Sequence, residues 1–535
     1  MPQRMTTPRG AAGLLAAAAA GAAQAGALAW PGSGAPVWWL QILSLAVLAA
    51  LLHQTPRPRS AAAAAWVFAT AWLAATFWWL FISLHTYGGL AAPLAAAAVL
   101  GLAVFLGAYY ALAGALYRAL APEGWLGGAV LFAGVWLLAQ LARNTLWTGF
   151  PWGAGGYAHV DGPLAALAPI VGVYGVGAVA AFLAMGMARL RRADARSMRT
   201  WWVVALLVLG LSGARLALER GHQEADAGEK RAPLTLALLQ GNIPQDEKFE
   251  PGTGVATALH WYAEQLAQAN AALVVAPETA LPLLPSQLPP GYLAAIAKRY
   301  SSGAQAALLG IPLGDLQAGY SNSVLGFSPG AQTPYRYDKH HLVPFGEFVP
   351  PLFRWFTELL NIPLGDFARG PLGQQSFAWQ GERIAPNICY EDLFGDEIAA
   401  HFERPETAPT VLLNFSNIGW FGTGVAIDQH LQISRMRALE FQRPMVRATN
   451  TGATAVIDHR GVVTHSLPRA TRAVLHAQVR GRSGDVTPFA WWAARWRLLP
   501  LWAAGALCAL GALFARRARA TADKASLQSG LDLGT

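Results

Sequence analysis

Cys389 lies in Asn387-Ile388-Cys389-Tyr390-Glu391-Asp392, after an apolar run at 384–388 and before a segment, 394–402, that can be helical. A strand, a sharp turn carrying Cys and then a helix is the layout that presents a nucleophile on an elbow. A thiol at its ordinary pKa of ~8.5 is only a few per cent thiolate near neutral pH, so a Cys nucleophile needs a base. Acyl transfer also needs positive charge where the oxyanion forms. Glu278, in Val274-Val275-Ala276-Pro277-Glu278-Thr279, directly follows a strand-like run and is a candidate base. Lys339 is a candidate cation; it lies in Tyr337-Asp338-Lys339-His340-His341-Leu342-Val343-Pro344-Phe345-Gly346-Glu347. Taken singly, each has an ordinary explanation. A lone Cys is most often a small buried hydrophobe. A carboxylate at a strand end is commonly a cap, and a Lys after a short strand is commonly surface charge. His340 and His341 are alternative bases, although adjacent His in a polar turn are more often solvated. No His, Cys or Asp set has metal-ligand spacing, and no cofactor is implied.

The residues that must position this set fall in one stretch. Between 219 and 494 the chain gains charges, Pro, Asn and His, and its apolar runs shorten to strand length. Runs at 234–239, 273–275, 306–309, 384–388, 411–413, 445–448 and 453–457 read as buried strands, and 254–270, 289–300 and 427–441 as helices. Strands mixed with helices predict an α/β domain with helix-covered sheets.

The rest of the chain has a different texture. Of 535 residues, 54% are hydrophobic and only 13% charged, with 21 Trp, which is the composition of a polytopic membrane protein. Near-span-length runs occur at 11–30, 36–52, 61–83, 90–116, 125–142, 164–189 and 201–217, and again at 498–515, which predicts about eight transmembrane helices. The organisation expected is a membrane domain at 1–218, the α/β domain at 219–494, and a last helix with a tail at 495–535. The net charge of +9 does not point to nucleic acid, because the Arg residues cluster in short gaps between apolar runs. Arg4, Arg9, Arg57, Arg59, Arg118, the five Arg between 189 and 199, and Arg516, Arg517 and Arg519 all fall on one side if seven helices precede the α/β domain. The gaps at 30–36 and 84–90 carry no Arg or Lys, and 143–163 carries only Arg143. The positive-inside rule then puts both termini in the cytoplasm and the α/β domain outside it. Ala23-Gln24-Ala25 resembles a signal-peptidase site, but the apolar run continues to Ala29, which favours an uncleaved helix. The chain has two cysteines, and Cys508 is expected in lipid. Cys389 would then be a lone thiol where disulfides form, which favours a chemical role.

Glu, Lys and Cys in this order on an α/β domain resemble the nitrilase (carbon–nitrogen hydrolase) superfamily. The matching stretches are Pro277-Glu278-Thr279, Tyr337 to His341 with Pro344-Phe345-Gly346-Glu347, and Asn387 to Glu391. With the membrane segments, the chain resembles the apolipoprotein N-acyltransferase family. Gln240-Gly241-Asn242-Ile243-Pro244-Gln245, Thr148-Gly149-Phe150-Pro151-Trp152 after Arg143, Asn414-Phe415-Ser416-Asn417 and Gly419-Trp420-Phe421-Gly422 agree with that family. Phe249 stands where the family is expected to have Trp.

The resemblance implies an αββα sandwich and a ping-pong acyl transfer. A phospholipid, by expectation phosphatidylethanolamine, gives its acyl chain to Cys389 as a thioester. The N-terminal amine of a diacylglyceryl-cysteine apolipoprotein then takes the chain as an amide. Glu278 is the expected general base, its pKa raised by burial; Lys339 is the expected oxyanion donor, with a backbone N–H after Cys389. Glu347 and Glu391, with Tyr390, are the expected supporting residues, orienting Lys339 and the amine. Alternatively, Glu391 simply begins a helix. Moving about fifteen methylenes into water at ~0.8 kcal/mol each would cost roughly 12 kcal/mol, so such a site must open onto the bilayer. Arg143, Phe150, Trp152, Phe249, Phe348, Trp355, Phe356, Trp420 and Phe421 are candidates to line the lipid path; Phe348, Trp355 and Phe356 belong to an apolar arm at 348–360, whose stretch 351–360 could equally be an ordinary helix docking on the sheet. Two competing readings are a membrane-anchored amidase for small amides and a transport or scaffolding protein. The apolar arm counts against the first, and the scarcity of ionisable residues within the spans counts against the second.

Overall fold

The computed structural model describes residues 10–189, 232–315, 317–349 and 367–532, with scattered residues of 197–216. The expected seventh span, 201–217, is described only in part, and most of the 348–360 arm, with Trp355 and Phe356, lies outside the described residues.

Ala- and Leu-rich sequence forms α1 (Ala11–Leu28), α2 (Trp38–Gln54), α3 (Pro58–Thr76), α4 (Ala92–Leu120), α5 (Trp125–Thr145) and α6 (Ala168–Arg189). Among the described residues, five helices are long and apolar enough to cross a membrane, the last being Leu499–Ala522. A sixth arises if Pro58–Thr76 and Leu80–Tyr87, bent by 61°, count as one span. At 17 residues, α2 is shorter. Backbones approach closely where side chains are small: a Cβ on Gly114 of α4 would come within 2.7 Å of the Ala65 Cβ on α3. Phe68, Trp72, Tyr110 and Trp136 form an aromatic cluster at the centre.

Two spans read as continuous from sequence are broken. The run 61–83 stops at Thr76, where the orphaned carbonyl accepts a hydrogen bond from Gln429 Nε2 at 2.9 Å. The run 164–189 breaks at Gly172, whose φ of 65° frees the Val173 N–H to donate to Glu440 Oε1 at 2.7 Å. Each break has its partner outside its own helix, which a periodicity reading cannot foresee.

The α/β domain contains two six-stranded sheets, in the orders β12-β1-β2-β3-β4-β5 and β11-β10-β9-β8-β7-β6. The first comprises β1 (Leu234–Gln240), β2 (Leu273–Ala276), β3 (Ala306–Asp315), β4 (Gly319–Phe327), β5 (Tyr335–Asp338) and β12 (Ala473–Val479). The second comprises β6 (Phe377–Trp379), β7 (Glu382–Ile388), β8 (Val411–Ser416), β9 (Met445–Thr449), β10 (Ala455–Ile457) and β11 (Val463–Ser466). The central strands β1-β2-β3 and β7-β8-β9 are parallel and buried, which is why they read as apolar runs. Leu236, Leu238, Val275 and Leu308 of one sheet share a core with Ile384, Leu413, Phe415 and Val446 of the other. Helices α7 (Ala256–Gln268) and α8 (Tyr292–Ser302) cover the first sheet, and α9 (Val425–Phe441) covers the second, giving an αββα sandwich. The expected helix at 394–402 is instead a series of short turns: a 3₁₀ turn at Cys389–Leu393, a helix at Gly395–Ile398 and another 3₁₀ turn at Ala399–Phe402. Buried Asp396 interrupts any continuous apolar stripe there.

Candidate active site

Glu278, Lys339 and Cys389 follow β2, β5 and β7, and the strand ends bring all three to one rim of the sandwich. β7 ends at Ile388, and Cys389 takes φ 52°, the sharp turn of an elbow. The Glu278 turn lies against β3 because Gly310 has no side chain; a Cβ there would meet the Pro277 carbonyl oxygen at 2.1 Å.

Lys339 Nζ donates to Glu347 Oε1 at 2.9 Å and to Glu278 Oε1 at 3.3 Å. Asn322 Nδ2, from β4, donates to Glu278 Oε1 at 2.7 Å and to Glu347 Oε1 at 2.8 Å. The Asn417 N–H donates to Glu278 Oε2 at 2.7 Å, and Ser416 Oγ lies 3.4 Å from Cys389 Sγ. Lys248, itself buried, donates to the main-chain carbonyl of Glu278 at 3.2 Å.

These contacts set the charge states. Burial pushes the Cys389 thiol up to about 12, with Glu278 adding to the rise and Lys339 opposing it. Burial alone would raise Glu278, as the sequence reading expected. Lys339, Asn322, Lys248 and the Asn417 N–H outweigh it, and the carboxyl is held below its ordinary value. Burial would discharge Lys339, but Glu347 and then Glu278 hold it well above its ordinary value. Burial lowers Lys248 to about 7 against the pull of Glu278 and Cys389. The resting site is therefore a protonated thiol beside a carboxylate and an ammonium. Preforming the thiolate at pH 7 would cost about 7 kcal/mol at 1.36 kcal/mol per unit.

Glu347 touches Lys339 directly, and its other oxygen accepts the Val343 N–H at 2.9 Å. Glu391 acts through backbone: it accepts the N–H groups of Ile388 and His340, both at 2.6 Å, and that of His341 at 3.2 Å, together with the Tyr337 hydroxyl. It thus ties the elbow to the Lys339 loop while closing the first turn after the strand. Burial raises Glu391 to about 7. His340 and His341 are engaged elsewhere: His340 with the Gly370 carbonyl, and His341 with Glu397 and the Thr148 carbonyl.

The candidate lipid-lining residues divide. Arg143 is buried and donates to the carbonyls of Phe150, Pro151 and Trp152, so it pins the 148–152 loop. Phe150 packs edge-on to Phe77 and stacks on Tyr390, whose hydroxyl donates to the Gly149 carbonyl at 3.0 Å. Trp152 is buried between Trp79 and His430. Phe249 and Trp420 are exposed, Trp420 standing edge-on to Tyr87. Phe421 lies on Trp79, and Phe348 lies under Arg369. Cys508 is a free thiol packed against Gly134 of α5. Among the described residues, no group of three or more His, Cys, Asp or Glu could hold a metal ion.

The family model described as apolipoprotein N-acyltransferase N-terminal domain matches residues 22–186, and that for carbon-nitrogen hydrolase matches 235–486. An apolipoprotein N-acyltransferase of Verminephrobacter eiseniae (strain EF01-2) is 61% identical over 500 residues, covering 90% of this chain and 92% of the relative. The chain belongs to the apolipoprotein N-acyltransferase family. A second member, from Ralstonia nicotianae (strain ATCC BAA-1114 / GMI1000), is 47% identical over 488 residues, covering 91% of this chain and 90% of the relative. Among solved structures, a mutant of the Nesterenkonia AN1 amidase from the nitrilase superfamily aligns at TM-score 0.37 and 15% identity, over 51% of this chain and 99% of that chain.

In this apolipoprotein N-acyltransferase family member, several residues around Glu278, Lys339 and Cys389 have no sequence signature. Asn322 sits in the polar half of β4, a strand that apolar-run reading misses because Ser321, Asn322 and Ser323 are buried without being apolar. Lys248 and His430 look like ordinary surface residues until the fold buries them. A polar triplet in an otherwise strand-forming segment was the one usable signal.

Proposed function

We propose that this chain transfers an acyl chain from a phospholipid, phosphatidylethanolamine being the expected donor, through a Cys389 thioester to the N-terminal amine of diacylglyceryl-cysteine apolipoproteins. The observation that carries the reading is the Lys339–Glu278 pair, buried beside an elbow thiol on a domain joined to membrane helices. In the first half-reaction Glu278 takes the thiol proton as sulfur attacks the ester carbonyl. Lys339 and the Tyr390 N–H face the oxyanion. Collapse expels the lysophospholipid, which leaves with the proton from Glu278. In the second half, the lipoprotein amine attacks the thioester; its proton passes by way of Glu278 to the departing sulfur, and the thiol is restored. Glu347 orients Lys339, Glu391 fixes the elbow against the Lys339 loop, and Phe249, Trp420 and Phe421 flank the entrance for lipid.

We place this activity in the bacterial inner membrane, with the helical domain at 1–218, a periplasmic catalytic domain at 219–494 and a final helix with a cytoplasmic tail at 495–535. The clustering of Arg in alternate gaps supports this orientation. The deciding experiment is intact-mass measurement after incubation with phosphatidylethanolamine. An acyl adduct on Cys389 is expected, labile to neutral hydroxylamine and cleared by a diacylglyceryl lipopeptide with a free amine. Turnover without any adduct would refute the covalent route. A tag after Thr535 should react only from the cytoplasmic side.

A further inference from the structure

His430 lies on α9 beneath the nucleophile, and its ring is fully buried. Arg447 Nη2 approaches His430 Nδ1 at 3.1 Å. A guanidinium has only donors, so Nδ1 is the acceptor and the ring proton sits on Nε2. Nε2 lies 3.2 Å from the main-chain carbonyl of Cys389 and donates to it. Burial, and then the charge of Arg447, hold the ring neutral. Asp392 Oδ2 is 3.9 Å from Nε2, but it is engaged by Ser434 and Arg447. Trp152 of the membrane domain stacks on the other side of the ring at 5.6 Å. Asn414 Nδ2 makes a second, longer approach to the Cys389 carbonyl, at 3.4 Å.

The Cys389–Tyr390 peptide is trans, so its carbonyl and its N–H point in opposite directions. Fixing the carbonyl from below therefore fixes the direction of the Tyr390 N–H above. That N–H is one of the first two of the 3₁₀ turn, which have no acceptor inside the turn. It is free for substrate only while the peptide plane is held.

We propose that His430 is a positioning residue: by donating to the Cys389 carbonyl it aims the Tyr390 N–H at the oxyanion, and Arg447 and Trp152 hold it in the orientation that does so. This rests on the thioester reading above. Removing an oxyanion donor outright typically costs 10²–10³ in rate. Misaiming one is expected to cost about 10- to 100-fold in thioester formation.

The test separates acylation from simple thiol reactivity, because alkylation by iodoacetamide forms no oxyanion. In His430→Phe, which keeps an aromatic ring against Trp152, Cys389 acylation by phosphatidylethanolamine should slow about 10- to 100-fold. The lipid KM and the alkylation rate should stay within about twofold. His430→Gln, whose amide can donate at the same reach, should recover most of the loss. If His430→Phe fails to fold, His430→Glu substitutes for it, since it offers Arg447 an acceptor but the carbonyl no donor; acylation there should fall below that of His430→Gln by more than any change in alkylation. Unchanged acylation in the folded variant, or acylation and alkylation falling in parallel, overturns the positioning role. Failure of the wild-type protein to form any adduct would instead overturn the thioester reading itself.

Discussion

The charge state of Cys389 gives the sharpest quantitative prediction. Burial and Glu278 put the thiol at about 12, so about one molecule in 10⁵ is thiolate at pH 7. A free thiol at ~8.5 is a few per cent thiolate there. The deficit is about 10^3.5, and a thiolate of higher pKa regains part of it through greater nucleophilicity, with a slope of roughly 0.4–0.5 per unit. The net expectation is alkylation about 100-fold slower than a free cysteine at pH 7. The rate should climb tenfold per pH unit from 7 to 10, without a plateau. The assay is iodoacetamide labelling of Cys508→Ala protein in detergent, followed by intact mass.

Glu278→Gln tests the cause. It removes a negative charge that disfavours the thiolate, so alkylation should speed up, while acylation by lipid is lost with the base. Two rates moving in opposite directions would be hard to attribute to misfolding. A plateau below pH 8 would mean that a thiolate–cation pair already exists at rest. That result, or slower alkylation in Glu278→Gln, would refute the sequence of proton transfer argued above.

Lys248, lowered from 10.5 to about 7, binds fewer protons folded than unfolded between those values, so it makes stability rise with pH across that window. Lys248→Met should raise the thermal midpoint at pH 7, with about 5 kcal/mol as the ceiling set by 3.5 units, and should flatten its dependence between pH 7 and 10, as followed by scanning fluorimetry. Arg143→Lys keeps the charge but cannot serve three carbonyls in one plane; it should lower the midpoint by the equivalent of about 3 kcal/mol and loosen the 148–152 loop to proteolysis. A fragment of residues 219–494 should aggregate rather than give an active soluble amidase, because Tyr390, Phe394, Ile418 and Ile427 share one apolar core with the membrane helices. A monodisperse, acyl-accepting fragment would contradict this.

Much of the sandwich was readable because its central strands are buried on both faces and carry uninterrupted apolar runs. The expected segments at 234–239, 384–388 and 445–448 fall within β1, β7 and β9. The edges were not readable. β5, β6 and β11 are three or four residues long, and β4 spends its buried positions on Ser321, Asn322 and Ser323. Glu278, Lys339 and Cys389 stand out as three residue types in order, but their protonation does not. Whether burial or Lys339 wins at Glu278 depends on four partners that come from separate elements: Lys339 after β5, Asn322 on β4, Lys248 before α7 and Asn417 after β8. No local window contains them.

The same limit explains the two broken spans, and their repair shows how the two parts are joined. A helix interrupted within a bilayer leaves backbone groups that lipid cannot satisfy, so it persists only where protein supplies partners. Here α9 supplies both: Gln429 caps the Thr76 carbonyl and Glu440 caps the Val173 N–H. Between them on the same helix, His430 holds the Cys389 carbonyl, and Trp79 and Trp152 both donate to Gln429 Oε1. Any shift of α9 large enough to free the Cys389 peptide plane would therefore also expose two backbone groups of the membrane domain, at about 1–3 kcal/mol each. The membrane helices need α9 in place to close their own hydrogen bonds, and α9 in place is what holds the elbow.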